Sequence, residues 1–213
     1  GSTSVGRIVY EAAATNLVPV TLELGGKSPA IVTANADLDL AARRIAWGKF
    51  LNCGQTCVAP DYVLVQDQVA DDFLQRLVNV IEAFYGTNSK SSTSYGRILN
   101  SRNFDRLTGL IQREKILVGG HHDREALFIE PTVLKNVTWK DPIMQEEIFG
   151  PLLPVLPFSD LKQALHGVRQ QEKPLAGYLF SQDQSEQETF LNQLSFGGGC
   201  INDTVLHLTS THL

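Results

Sequence analysis

Cys57 lies in the run Asn52-Cys53-Gly54-Gln55-Thr56-Cys57-Val58-Ala59-Pro60, small and turn-forming residues that set a thiol on a loop instead of inside an apolar element. A structural cysteine packs as a small hydrophobe, whereas a reactive one needs access and help in becoming a thiolate. The setting of Cys57 is that of a nucleophile, which in turn requires an electrophile and a group to finish the reaction. Glu23, in Leu22-Glu23-Leu24-Gly25-Gly26, ends an expected strand beside two glycines. Those glycines let water or substrate come close to a carboxylate able to act as general base. A salt-bridged strand terminus fits the same position, and the residue types leave both readings open. His166, His207 and His212 lie in periodic or terminal contexts, so no imidazole stands out as the partner that takes the thiol proton.

Two further segments carry polar chemistry. Glu146-Glu147-Ile148-Phe149-Gly150-Pro151 places two carboxylates before an aromatic and a Gly-Pro turn. One carboxylate could accept from ribose hydroxyls while Phe149 packs on a flat ring; a solvated acidic pair at a helix C-terminus is the competing reading. Gly1-Ser2-Thr3-Ser4-Val5-Gly6 could offer backbone N–H groups to a phosphate at a helix start, although its glycine spacing is loose. No metal site is expected. His121-His122-Asp123 reads as a solvated turn, and Cys53 with Cys57 lacks the second ligand pair that zinc needs. Cys53 and Cys200 read as packing residues.

The elements that must position these groups follow from periodicity. Helices are expected over residues 5–16, 37–50, 69–84 and 101–113, and strands over 18–24, 29–32, 62–65, 116–118, 128–133, 153–158 and 176–180. Ser159 and Ser185 are candidate caps of two later helices. Short apolar strands alternating with amphipathic helices predict a single α/β domain whose parallel sheet is covered by helices on both faces. Such a sheet is expected to hold its ligand beyond the carboxyl ends of the strands.

The chain has 213 residues, 43% of them hydrophobic, enough for one full core. A net charge of -5 excludes the basic stripe that a nucleic-acid partner requires. Three cysteines without framework spacing point to a reducing, cytoplasmic setting. A start at Gly1 inside a glycine loop and an uncapped end at Leu213 read as an internal piece of a longer protein.

Four runs taken in order carry a resemblance. Gly1-Ser2-Thr3-Ser4-Val5-Gly6, Leu22-Glu23-Leu24-Gly25-Gly26-Lys27-Ser28-Pro29, Gly54-Gln55-Thr56-Cys57 and Glu147-Ile148-Phe149-Gly150-Pro151 resemble the signatures of the aldehyde dehydrogenase superfamily across essentially the whole chain. Arg43 to Phe50, Ala59 to Tyr62 and Phe196 to Thr204 look most like its class 3 branch, which oxidises medium-chain, fatty and aromatic aldehydes with NAD or NADP.

The resemblance implies that Cys57 is the nucleophile, Glu23 the general base, Glu147 a ligand of the nicotinamide ribose with Phe149 beside it, and Gly1 to Gly6 a loop near the cofactor's diphosphate. It gives Glu146, Cys53 and Cys200 no such part. It also implies a catalytic domain over residues 1–213, with residues 1–25 at the edge of an NAD(P)-binding domain, an isolated segment without activity, and a homodimeric whole protein that has room for a membrane tail. A cofactor-independent thiol esterase or acyltransferase, and a non-catalytic domain of the same fold, are the alternatives.

Overall fold

The computed structural model describes residues 1–209. Its first element, α1 (Thr3–Thr15), is capped by the Ser2 hydroxyl, which accepts from the Val5 N–H at 3.4 Å. The strand expected over residues 18–24 does not form. With no strand alongside it among the described residues, this segment sets Leu22 and Leu24 against Gly6 of α1, where a Cβ would stand 2.9 Å from a Leu24 methyl.

The sheet starts at β1 (Pro29–Val32), runs through α2 (Leu38–Phe50) to β2 (Tyr62–Gln66), and continues with α3 (Ala70–Tyr85) and α4 (Ser101–Gly109). Asp37 caps α2 by accepting from Leu40 N. In α3, Phe73, Leu77 and Ile81 recur at helical spacing and are buried, each worth about 1.5–3 kcal/mol of transfer free energy. α4 stops at Gly109, one turn short of the expected residue 113.

There follow β3 (Ile116–Val118), a two-strand ribbon of β4 (His122–Asp123) and β5 (Phe128–Ile129), then β6 (Thr132–Leu134) and β7 (Leu152–Phe158). The single strand expected over residues 128–133 is therefore two, divided at Pro131, which has no N–H for a ladder. The chain closes its sheet through α5 (Leu161–Arg169), β8 (Ala176–Phe180), α6 (Gln184–Gln193) and β9 (Gly198–Ile201). Asp160 and Asp183, not Ser159 and Ser185, cap α5 and α6; a carboxylate is an equally good acceptor for the free N–H groups and also suits the positive end of the helix.

Strand order is β3-β6-β7-β2-β1-β8-β9, parallel throughout except for β3, which runs antiparallel at the edge. β1 and β8 are buried along their whole length, and β2 nearly so. The crossovers β1 to β2 and β7 to β8 run in opposite directions across the sheet, so right-handed connections put α2 and α5 on opposite faces. The expected two-faced α/β sheet is thus present.

The end of the sheet that carries the candidate residues is not the expected one. Residues 25–28 lead into β1, residues 51–61 into β2, and residues 145–151 into β7, all at amino ends. At the carboxyl ends the chain turns tightly: Asp37 and Asp160 cap the following helices, and the Gln66 side chain ties Ala34 N to Ser159 O. Those short, cross-linked turns leave the open loops on the opposite edge.

Candidate active site

After α2 the backbone enters a left-handed path, with φ of 50° at Asn52, 57° at Cys53 and 73° at Gly54. Only glycine suits the last of these, because a Cβ on residue 54 would lie 2.2 Å from the Gly150 carbonyl oxygen. The loop is then stitched down by Gln55. Its Nε2 donates to Asn52 O and Arg97 O, and its Oε1 accepts from Leu99 N at 2.9 Å. From below, the buried Tyr178 hydroxyl donates to Val58 O at 2.6 Å. The result is an exposed Cys57 thiol on a fixed loop. Cys53 is the converse case: it is fully buried, and burial pushes its thiol up to about 11.

Glu147 is half-buried, with its carboxylate laid on the glycine pair. A Cβ at Gly25 would meet Glu147 Oε1 at 2.2 Å. Burial first, and then the charge of Asp61, raise its pKa; the Gly26 N–H, Lys49 and Lys27 act in the opposite direction. The backbone around it is clamped. Lys27 Nζ donates to Asp61 Oδ2, Ile143 O and Glu146 O, and Asp61 Oδ1 accepts from Ile148 N at 2.9 Å. Arg106 on α4 donates to Glu146 Oε1 and to the carbonyl oxygens of Glu147 and Ile148. Glu146 is thereby an ion-pair partner at the rim, in keeping with its lack of any other expected part.

Cys57, Glu147, Phe149 and Gly1, Ser2, Thr3 and Ser4 line one cleft of about 970 Å³. Val5 and Gly6 do not; Val5 is exposed on α1 and Gly6 is a packing glycine. Glu23 lines an adjoining cleft of about 650 Å³ that shares Thr3, Gly25 and Glu147 with the first, and no ion pair occupies its carboxylate among the described residues. The salt-bridged reading of Glu23 is thus not what the structure has.

Residue type alone assigns no part to Lys27, Asp61, Arg106, Gln55 or Tyr178. Asp61 has a signal, a charge directly before the apolar run Val63-Leu64-Val65. Elsewhere, His122 and Asp123 form the ribbon strand β4 instead of a turn, and Asp123 pairs with Lys90. Cys200 is half-buried with its sulfur 3.8 Å from His207 Nδ1. His212 lies outside the described residues. Among the described residues no group of three or more potential metal ligands occurs, and no helix is long and apolar enough to cross a membrane.

The fold and cleft are those of an α/β protein built around an accessible cysteine. A sequence model of the Aldehyde dehydrogenase family matches residues 1–212, and the chain belongs to that family. Among curated relatives, the dimeric NADP-preferring aldehyde dehydrogenase of Rattus norvegicus is 48% identical over 98% of this chain and 46% of its own length. Aldehyde dehydrogenase family 3 member A2 of the same species is 45% identical over 100% and 44%. A solved structure described as the substrate-bound state of Staphylococcus aureus AldH superposes with a TM-score of 0.98 at 51% identity, covering 100% of this chain and 47% of that one. The chain thus spans about half the length of the relatives it matches.

Proposed function

We propose that the whole protein oxidises an aldehyde to its carboxylate with NAD or NADP, using Cys57 as nucleophile and Glu23 as general base. The observation that carries this reading is the exposed Cys57 thiol on a rigid loop, facing one cleft with Glu147 and the start of α1, in a chain of this family. The substrate class is a medium-chain, fatty or aromatic aldehyde, as the class 3 resemblance of Arg43 to Phe50 and of Phe196 to Thr204 implies. A homodimeric whole protein has its support in the rat relative described as dimeric. A cytoplasmic setting has its support in three free thiols. Residues 1–25 form the edge of the NAD(P)-binding domain in this reading.

The residues present fit a dinucleotide. Ser2, Thr3 and Ser4 bring unpaired helix N–H groups to the cleft wall, suited to a diphosphate. The Gly25 cradle leaves room for the Glu147 carboxylate, an acceptor suited to ribose hydroxyls, and Phe149 is exposed beside it. Bound there, the nicotinamide supplies the hydride acceptor.

Cys57 adds to the carbonyl carbon: a C–S bond forms and the π pair moves onto oxygen. The Cys57 N–H makes no hydrogen bond to any described residue and is free to donate to that oxyanion. After loss of hydride the acyl group stays on Cys57 as a thioester. Glu23 takes a proton from water, the hydroxide adds to the acyl carbon, and the C–S bond breaks to return the thiolate. Aldehyde-dependent appearance of reduced cofactor with the whole protein tests the proposal. Binding of neither dinucleotide, together with thiol-dependent ester hydrolysis, would instead establish a cofactor-free esterase.

A further inference from the structure

An oxyanion formed on the Cys57 sulfur meets a donor only if one peptide unit, Thr56–Cys57, is held at the right tilt. The carbonyl side of that unit is fixed, because Thr56 O accepts from Ala59 N at 3.0 Å. A peptide is planar and trans, with its N–H directed opposite to its carbonyl. The Cys57 N–H therefore points away from this turn, and it makes no hydrogen bond to any described residue. Its aim depends on what holds the chain on either side.

Downstream the hold is Tyr178, whose hydroxyl donates to Val58 O. Upstream it is Gln55. The chain before it takes the left-handed path at Asn52, Cys53 and Gly54, and the backbone bond that closes this path, Gln55 N to Asn52 O, is local. The Gln55 side chain ties the path to a distant segment. Its Nε2 donates to Asn52 O at 3.2 Å and to Arg97 O at 2.9 Å, and its Oε1 accepts from Leu99 N at 2.9 Å. Both amide protons are committed, so Gln55 lines the cleft beside Cys57 with none left for a substrate.

The segment that receives Gln55 is itself held on several sides. Arg97 donates to the carbonyls of Lys90, Tyr95 and Gly96, and its guanidinium lies 5.1 Å from the centre of the Phe128 ring. Ile98 N donates to Leu127 O, and the Ile98 side chain is buried. From Asn100, the cap of α4, the chain runs along the helix to Arg106 in its last turn, which holds the carbonyls of Glu147 and Ile148. The nucleophile's loop and the Glu147 turn are thus fastened to opposite ends of one helix, by Gln55 and by Arg106.

We propose that Gln55 is a positioning residue for the Cys57 N–H: its amide ties the nucleophile's loop to the segment leading into α4 and so aims that N–H at the oxyanion formed on Cys57. This part depends on the reading of Cys57 as nucleophile. Glutamine suits it chemically, since a carboxylate of the same shape offers no donor and asparagine is one methylene shorter.

The test compares the whole protein with Gln55→Met and Gln55→Glu in three reactions. These are hydride transfer from an aldehyde in rapid mixing, acylation of Cys57 by p-nitrophenyl acetate with release of p-nitrophenolate, and alkylation of Cys57 by iodoacetamide. The first two pass through an oxyanion, and alkylation does not. Gln55→Met should slow the first two by about 10²-fold, as loss of an oxyanion donor does. Alkylation should stay within about threefold, because the thiol is exposed in any case. Dinucleotide affinity should hold within about twofold, since the Arg106 end of α4 is untouched. In Gln55→Glu a carboxylate faces the carbonyls of Asn52 and Arg97; once protonated it regains one O–H donor while its other oxygen still accepts from Leu99 N. Its acylation rate relative to wild type should rise about tenfold from about pH 8 to about pH 5, and that of Gln55→Met should not.

Wild-type acylation in folded Gln55→Met, alkylation that falls in parallel with acylation, or a Gln55→Glu without acid recovery overturns the proposal. Should Gln55→Met not fold, Gln55→Glu carries all three reactions. A wild type that is acylated by the ester but reduces neither dinucleotide refutes the cofactor reading alone, and acylation then still decides the part of Gln55. A wild type whose thiol is alkylated but never acylated overturns both.

Discussion

Gly25 and Glu147 share one volume: the carboxylate of Glu147 stands where a side chain on residue 25 would begin, 2.2 Å from the position of a Cβ. Gly25→Ala therefore evicts a flexible carboxylate and leaves the backbone in place. Dinucleotide affinity is expected to fall by about tenfold or more, the loss of one charged acceptor, while the thermal midpoint hardly moves. A titration paired with a melt checks this; unchanged affinity in a folded variant would show that Glu147 does not hold the cofactor from this seat.

Cys57→Ala should abolish both aldehyde oxidation and ester hydrolysis. Because Cys57 is exposed and its loop is held by Gln55 and Tyr178, stability should change by no more than about 0.5 kcal/mol. Steady-state turnover beside a denaturant curve separates the two effects.

Glu23→Gln should retard thioester hydrolysis more than hydride transfer. In a rapid-mixing experiment the burst of reduced cofactor keeps its amplitude while the later steady rate falls, by about 10²-fold or more. A burst that vanished would move Glu23 to an earlier step.

Lys27→Met strips the partner from Asp61, whose side chain is 5% exposed, and leaves a buried anion with one backbone donor. Breaking such a pair costs about 3–5 kcal/mol. Because Lys27 also holds Ile143 and Glu146, the segment entering β7 should become the fastest-exchanging part of the sheet edge in hydrogen exchange.

On the acid side the raised pKa of Glu147, caused by burial and by Asp61, places its protonation above the ordinary glutamate value of about 4.3. As pH falls through that raised value the acceptor is lost. Dinucleotide affinity should thus begin to weaken at a pH where an exposed glutamate would still be ionised, and Glu147→Gln should remove that limb of the profile.

Periodicity made the helices and central strands legible, since each carries an unbroken apolar face or run, as in Phe73, Leu77 and Ile81 or in β8. It failed over residues 18–24, where apolar residues alternate as in a strand but no partner strand lies alongside among the described residues. Local pattern records the preference of a segment, not the presence of a neighbour. The general rule for ligand position failed too, because it depends on which loops are long, and here the carboxyl-end turns are closed by Asp37, Asp160 and Gln66. At the candidate site, the small, turn-forming residues around Cys57 mark an accessible thiol, whereas Glu147 stands level with a solvated acidic pair until the resemblance singles it out. Lys27, Asp61 and Arg106 act through bonds to backbone atoms far away in sequence, which residue type does not announce.

The segments bearing Gly25, Cys57 and Glu147 enter β1, β2 and β7, three neighbours at the centre of the sheet. Their cross-links are long-range: Ile148 to Asp61 spans 87 residues and Lys27 to Glu146 spans 119. Loops of that length close slowly, after local helices have formed. While the chain folds, Cys57 thus exists as an ordinary accessible thiol before any cleft surrounds it, so the interval before the central strands pair is when it is most open to oxidation or mispairing.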